Sequence, residues 1–179
     1  MGGGKDVGSP PVRRVFLALW PDEATRLALH HVARSLPGGR GVPAAHLHLT
    51  VAFPGNVGIE VADCLAERLE SLAFSPVPIL LDRLGYFPGP RVTWLGPSRV
   101  PEELEHLASE ARGLCLACGV PADAGAFVPH VTLRRFTRPP VSSVVETPIH
   151  WYADRLALVE SGRHGHLGPY RLLARWPEG

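Results

Sequence analysis

The sequence predicts an α+β fold of two antiparallel sheets with helices outside them. Three observations carry this. Strand-like and helix-like segments follow one another as strand, helix, strand, twice along the 179 residues. Each helix-like segment is apolar along one stripe only, so it has a single face to bury. Proline and glycine clusters separate the units.

In order, residues 14–20 (RVFLALW) read as a buried strand, an apolar and aromatic run bounded by charge and proline. Pro21-Asp22-Glu23 supplies the proline and acidic first turn of a helix running to about residue 36. After a Gly/Pro loop at 37–43, residues 46–53 alternate. Leu47, Leu49, Val51 and Phe53 share one face, and His46, His48, Thr50 and Ala52 share the other. Pro54-Gly55-Asn56 is expected to end that strand. Val61, Leu65, Leu69 and Leu72 recur at helical spacing and predict an amphipathic helix over 60–73. In the second half, 78–87 and 91–95 form a hairpin around Pro88-Gly89-Pro90, and Leu104, Leu107, Ala108, Ala111 and Leu114 mark a helix over 101–118. Residues 127–135 are the next strand. A connection containing Pro139, Pro140 and Pro148 leads to strands at 152–161 and 170–176, with 162–168 as the turn between them.

This length suits one domain, expected over 12–179, with the glycine-rich 1–11 as a disordered tail. A hydrophobic content of 45% and a charged content of 20% are those of a globular protein. The net charge of +1 provides no general field for long nucleic acid and leaves room for a small or terminal phosphate. No apolar run approaches the roughly 20 residues that span a bilayer, so a soluble monomer is expected, with no membrane partner. Cys64, Cys115 and Cys118 are an odd number without a signal peptide, which points to a reducing cytoplasm. Cys115 and Cys118 fall late in the second helical pattern without further ligands nearby. Core packing is expected of them rather than redox or zinc chemistry.

Two segments match, Leu47-His48-Leu49-Thr50-Val51 and Pro129-His130-Val131-Thr132-Leu133. Nine histidines and six threonines should give roughly 0.3 His-x-Thr pairs by chance. On a strand, residues i and i+2 point the same way, so each histidine is accompanied by a hydroxyl about 6–7 Å along the chain while the middle residue anchors the core. Two such strands facing a cleft would supply a base, an acid and donors for non-bridging oxygens, which phosphodiester cleavage requires. Histidine serves both proton roles because its unperturbed pKa is about 6.5.

The paired motifs, with FLALWP near the start, LHLTVAFPGNV and VPHVTLRRF, resemble the 2H phosphoesterase superfamily, in its RNA 2′,3′-cyclic phosphodiesterase branch, also called 2′-5′ RNA ligase. The resemblance runs over roughly residues 15–176. It implies a two-lobed, pseudo-symmetric fold with the motifs facing across a central groove. It also implies hydrolysis of RNA 2′,3′-cyclic phosphate ends, or of a small cyclic nucleotide, to 2′-phosphomonoesters, without metal or cofactor; related chemistry would give 2′-5′ ligation. By the family's roles His48 is the acid for the leaving 3′ oxygen and His130 the base that activates water. Thr50 and Thr132 hold phosphate oxygens, and a basic residue five places after the second histidine, Arg135, joins them. Strict alternation puts Arg134 on the His130 face instead, and a bulge or twist at the strand end would return the position to Arg135. Pro54 replaces the family's usual leucine after Phe53.

Two rival readings belong beside this one. His46, His48 and His130 could ligate zinc as a metallohydrolase, although no H-E-x-x-H or acidic cluster accompanies them. A non-catalytic RNA-end binder would need the pocket but not two titrating groups. Phe16, Phe53 and Trp94 are candidates to stack a terminal base, or simply core residues. His30, His31, His164 and His166 are given no role.

Overall fold

The computed structural model describes residues 12–121, 125–162 and 169–177. The expected tail at 1–11 and the turn carrying His164 and His166 lie outside the described residues. The chain runs β1 (Val12–Leu19), α1 (Glu23–Ser35), a short β2 (Arg40–Gly41) and a 3₁₀ turn (Ala44–His46) into β3 (Leu49–Gly58) and α2 (Ile59–Glu70). Then come β4 (Val77–Phe87), β5 (Val92–Gly96), α3 (Glu102–Ala117), β6 (Val131–Arg135), β7 (Val144–Ala153), β8 (Leu156–Ser161) and β9 (Arg171–Trp176). Asp22 caps α1, accepting from the Thr25 backbone N–H and hydroxyl, both at 2.9 Å. Those bonds hold its carboxyl below the usual carboxylate range.

The two expected sheets, β7-β4-β5-β6 and β3-β1-β8-β9, meet edge to edge. β3 and β6 join them into one nine-stranded sheet, with β2 pairing β6 off that path. The junction is a single antiparallel register pair, Leu49 opposite Val131. Both side chains are fully buried in the main core, alongside Leu29 of α1, Leu65 and Leu69 of α2 and Leu104 and Leu107 of α3. The helices therefore cover one face of the sheet. On the other face a smaller cluster of Phe16, Ala18, Ala157 and Val159, flanked by Trp20 and Tyr170, forms a separate floor.

Three elements differ from expectation. Pro54-Gly55-Asn56 does not end β3: an extra residue bulges between the pairs Val15–Gly55 and Leu17–Ala52, and pairing with β1 continues to Gly58. A bulge leaves a proline without a ladder bond to donate, and Gly55 takes the positive φ of 77° that a side chain would resist. The connection containing Pro148 is largely the strand β7. Proline is tolerated there because β7 is an outer strand, pairing only with β4. The expected strand at 152–161 is accordingly the end of β7 followed by β8.

The cysteine expectation is also corrected. Cys64 on α2 and Cys118 at the end of α3 form a disulfide with a Cα–Cα distance of 6.0 Å, and Cys115 alone stays a buried thiol, pushed up to about 11 by burial. Counting cysteines is blind to which helix faces meet, and the argument from their odd number to a reducing compartment falls with it.

Because Leu49 fills the core at the pairing that joins the halves, Leu49→Ala is expected to lower stability by about 2–5 kcal/mol. Chemical denaturation measures this. A loss under about 1 kcal/mol would contradict the packing described for the junction.

Candidate active site

The register Leu49–Val131 builds the site. Extending it one residue each way sets His48 opposite Thr132 and Thr50 opposite His130. Since Leu49 and Val131 point into the core, their neighbours emerge on the helix-free face. There they line one groove of about 400 Å³ together with Arg135, Arg14, His46 and Tyr170. All five residues singled out by the sequence reading, His48, Thr50, His130, Thr132 and Arg135, are thus brought together. Neither threonine hydroxyl is engaged by another described residue, which leaves both to donate to a ligand.

Each histidine sits one residue before its strand begins, where the chain is leaving the ladder. The ring then turns back on the chain. His48 Nδ1 lies 2.7 Å from the His46 carbonyl oxygen, and His130 Nδ1 lies 2.7 Å from that of Val128. A carbonyl only accepts, so Nδ1 carries the hydrogen in both rings and Nε2 keeps its lone pair. It is thus the backbone of His46, rather than its imidazole, that orients His48.

Aromatic rings complete each cradle. His48 stacks on Phe16 at 4.7 Å and lies parallel to Trp20 at 5.5 Å, with the edge of Tyr170 at 5.6 Å. Ala18, between Phe16 and Trp20 on that face of β1, leaves space for the imidazole. His130 meets Phe87 edge-on at 4.9 Å and Trp94 at 5.9 Å. Trp94 lies flat over Gly85, where an added Cβ would sit 2.0 Å from the indole. Of the stacking candidates, Phe16 and Trp94 are buried and support the histidines, while Phe53 is 45% exposed at the rim with the Arg14 guanidinium 5.1 Å from its ring centroid.

Two arginines are sorted by a bulge. Between the pairs Thr93–Arg134 and Trp94–Thr132, β6 carries one extra residue, Leu133, which is fully buried. Arg134 consequently turns to the end of α1, donating to the carbonyls of Ala33 at 2.8 Å, Gly38 at 2.6 Å and Gly39 at 3.2 Å. Arg135 returns to the groove.

The electrostatics follow from this packing. Burial, opposed by the bond to His46 and reinforced by the charges of His130 and Arg135, pushes His48 down to about 4. His130 is lowered by burial and by Arg135, against the bond to Val128. Burial raises the Tyr170 phenol, with Arg135 and Arg14 opposing. Both imidazoles are therefore neutral near neutral pH. His46, His48 and His130 share the groove, but among the described residues no three His, Cys, Asp or Glu side chains converge as a metal-binding set.

The motif alternation did not reveal Tyr170, Trp20, Phe87 or Arg14. Strand β1 did hold one signal, since Arg14, Phe16, Ala18 and Trp20 occupy the face opposite Val15, Leu17 and Leu19.

Residues 18–165 match the family model of the 2′-5′ RNA ligase superfamily. Among relatives, the RNA 2′,3′-cyclic phosphodiesterase of Archaeoglobus fulgidus is 33% identical over 140 residues, covering 74% of this chain and 78% of the relative. That of Escherichia coli is 35% identical over 132 residues, covering 71% and 73%. E. coli LigT in apo form superposes with a TM-score of 0.79 at 28% identity over 92% of this chain and 96% of LigT. LigT complexed with 3′-AMP gives 0.79 at 27% over 93% and 98%.

In the ligand-free protein, both groove histidines are expected to titrate below about 6.5. A folded-state pKa below the unfolded one means that the unfolded chain binds more protons, so these groups destabilise the fold as pH falls from about 6.5 toward 4. Arg135→Gln and added inorganic phosphate should each raise both values. Imidazole ¹⁵N NMR titration measures this, and a His48 that titrated above 6.5 without ligand would refute the described environment.

Proposed function

Because the chain belongs to the 2′-5′ RNA ligase superfamily, we propose that it is an RNA 2′,3′-cyclic phosphodiesterase working by two-histidine acid–base catalysis. The observation that carries this reading is the pairing of the two His-x-Thr segments about Leu49 and Val131. It presents the imidazoles of His48 and His130 and the hydroxyls of Thr50 and Thr132 to a single groove that the Arg135 guanidinium also lines.

In the mechanism, a phosphate occupies the groove with its non-bridging oxygens on Thr50, Thr132 and Arg135. His130 Nε2 takes a proton from water as the water oxygen bonds to phosphorus. His48 Nε2, protonated, gives its proton to the 3′ oxygen as the P–O3′ bond breaks, leaving a 2′-phosphomonoester. A 5′-hydroxyl in place of water would give a 2′-5′ linkage by the same proton transfers.

The lowered imidazole pKa values bear on who holds the proton. Two neutral rings cannot supply an acid, and an anionic phosphate between them raises both. Substrate binding therefore brings the catalytic proton with it. His48, pushed down to about 4 chiefly by burial, needs this in particular. A rate maximum near neutrality, natural for unperturbed histidines, accordingly shifts. For kcat/KM, which reports the free enzyme, the maximum falls on the acid side of about 6.5, and for kcat it lies higher.

The reading extends to a single domain over residues 12–179 that acts as a monomer with no cofactor. Light scattering of the purified protein tests the oligomeric state. No helix of the described residues is long and apolar enough to cross a membrane.

On an oligonucleotide ending in a 2′,3′-cyclic phosphate, His48→Ala and His130→Ala should each lower turnover about 10²–10⁴-fold. The double variant should lose much less than the product, because residues acting as a unit are non-additive. Thr50→Ala and Thr132→Ala should be milder, each removing one phosphate donor. Wild-type turnover with a flat pH profile in either histidine variant would end the two-histidine mechanism. An inactive wild type that still binds the RNA end would favour the non-catalytic binder.

Turnover is also expected to survive exhaustive chelation, since imidazoles, hydroxyls and guanidinium supply both proton transfer and charge. Activity lost to chelator and restored by zinc or manganese would shift the assignment to a metallohydrolase with His46 as a ligand.

A further inference from the structure

Among the described residues, two that are not glycine hold φ in the left-handed region, Arg91 at 54° and Phe136 at 59°. For side chains this large such a conformation is strained, and it persists only where the surroundings impose it. Both line one cleft of about 430 Å³ that adjoins the catalytic groove.

The surroundings do impose it. Thr137, buried directly after Phe136, donates its backbone N–H to the Arg91 carbonyl at 3.0 Å, shares a 2.7 Å hydroxyl contact with Thr93 and accepts from the Tyr86 hydroxyl at 3.1 Å. Core packing does not explain the strain, because Phe136 is 60% exposed. The opposite wall is equally fixed. Arg134 ties down the carbonyls of Gly38 and Gly39, and a Cβ on Gly39 would lie 2.2 Å from the Arg135 carbonyl oxygen. The fold thus fixes the backbone that carries an exposed aromatic ring at the boundary of two cavities, since Phe136 lines the catalytic groove as well.

The cleft is also cationic. Arg91 and Arg138 are exposed in it, and none of the described residues lining it is acidic. An exposed ring stacks any base, and arginines beside it suit a phosphate backbone. Continuity with the catalytic groove says where such a strand comes from.

We propose that this cleft binds the RNA strand immediately 5′ of the cyclic end, with the penultimate base on Phe136 and its flanking phosphates on Arg91 and Arg138. This rests on the phosphodiesterase reading and says which surface holds the chain beyond its terminal nucleotide.

The test compares kcat/KM for a 2′,3′-cyclic mononucleotide with that for a short oligoribonucleotide ending in the same cyclic nucleotide. The wild type should favour the oligonucleotide about tenfold or more, mainly through KM. Phe136→Gly removes the ring and accommodates the positive φ, so its thermal midpoint should hold or rise while the preference shrinks about tenfold. Arg138→Gln should lower the dependence of log kcat/KM on log salt by about 0.7, as for one lost single-strand phosphate contact. Equal efficiency on both substrates, which would leave the cleft to a polypeptide ligand, overturns the assignment. An undiminished preference in a stable Phe136→Gly protein does the same. Turnover of neither substrate overturns the parent reading and this one with it, whereas turnover of both without preference overturns only the cleft.

Discussion

One antiparallel pairing, Leu49 opposite Val131, governs the rest of the structure. It joins the two halves of the sheet, and each partner is the middle residue of a His-x-Thr segment. Burying those two side chains commits their four neighbours to the opposite face, with no choice left to each residue separately. A one-residue slip would turn one of the two segments over, sending its histidine and threonine into the core and its middle apolar side chain into the groove. Core packing and site geometry are therefore enforced by the same contact, with the free energy of burial holding the register.

Around that pairing the groove is built to be short of negative charge. Aromatic rings desolvate the imidazoles, Arg135 disfavours their protonation, and backbone carbonyls fix each Nδ1 as the donor. A phosphate entering such a site supplies the missing counter-charge, and the proton it draws in is linked to its binding. The aromatic cradles thus do more than pack: they keep the rings uncharged and aimed until an anion arrives.

Much of this was legible in the residues because strand alternation and helical spacing are local. The His-x-Thr faces, the stripes of α1, α2 and α3, and the acidic start of α1 depend on neighbours within a few positions. What was not legible depends on partners distant in sequence. Pro148 signals a loop unless β7 is known to be an outer strand, and Pro54 signals an end unless a bulge absorbs it. Whether Arg134 or Arg135 reaches the groove turns on Leu133, whose extra place in β6 is set by pairing with β5. Tyr170 comes to the site from the far end of the chain, next to the last strand, and no local pattern marks it.

The disulfide between Cys64 and Cys118 has a mechanical meaning. It ties α2 to the end of α3 on the helical face, while the Leu49–Val131 pair ties the two half-sheets where the strands meet. Two ties at different depths act as a hinge pin and a stay. One covalent tie on the helical face and one strand pairing within the sheet thus fasten segments that lie far apart in the chain.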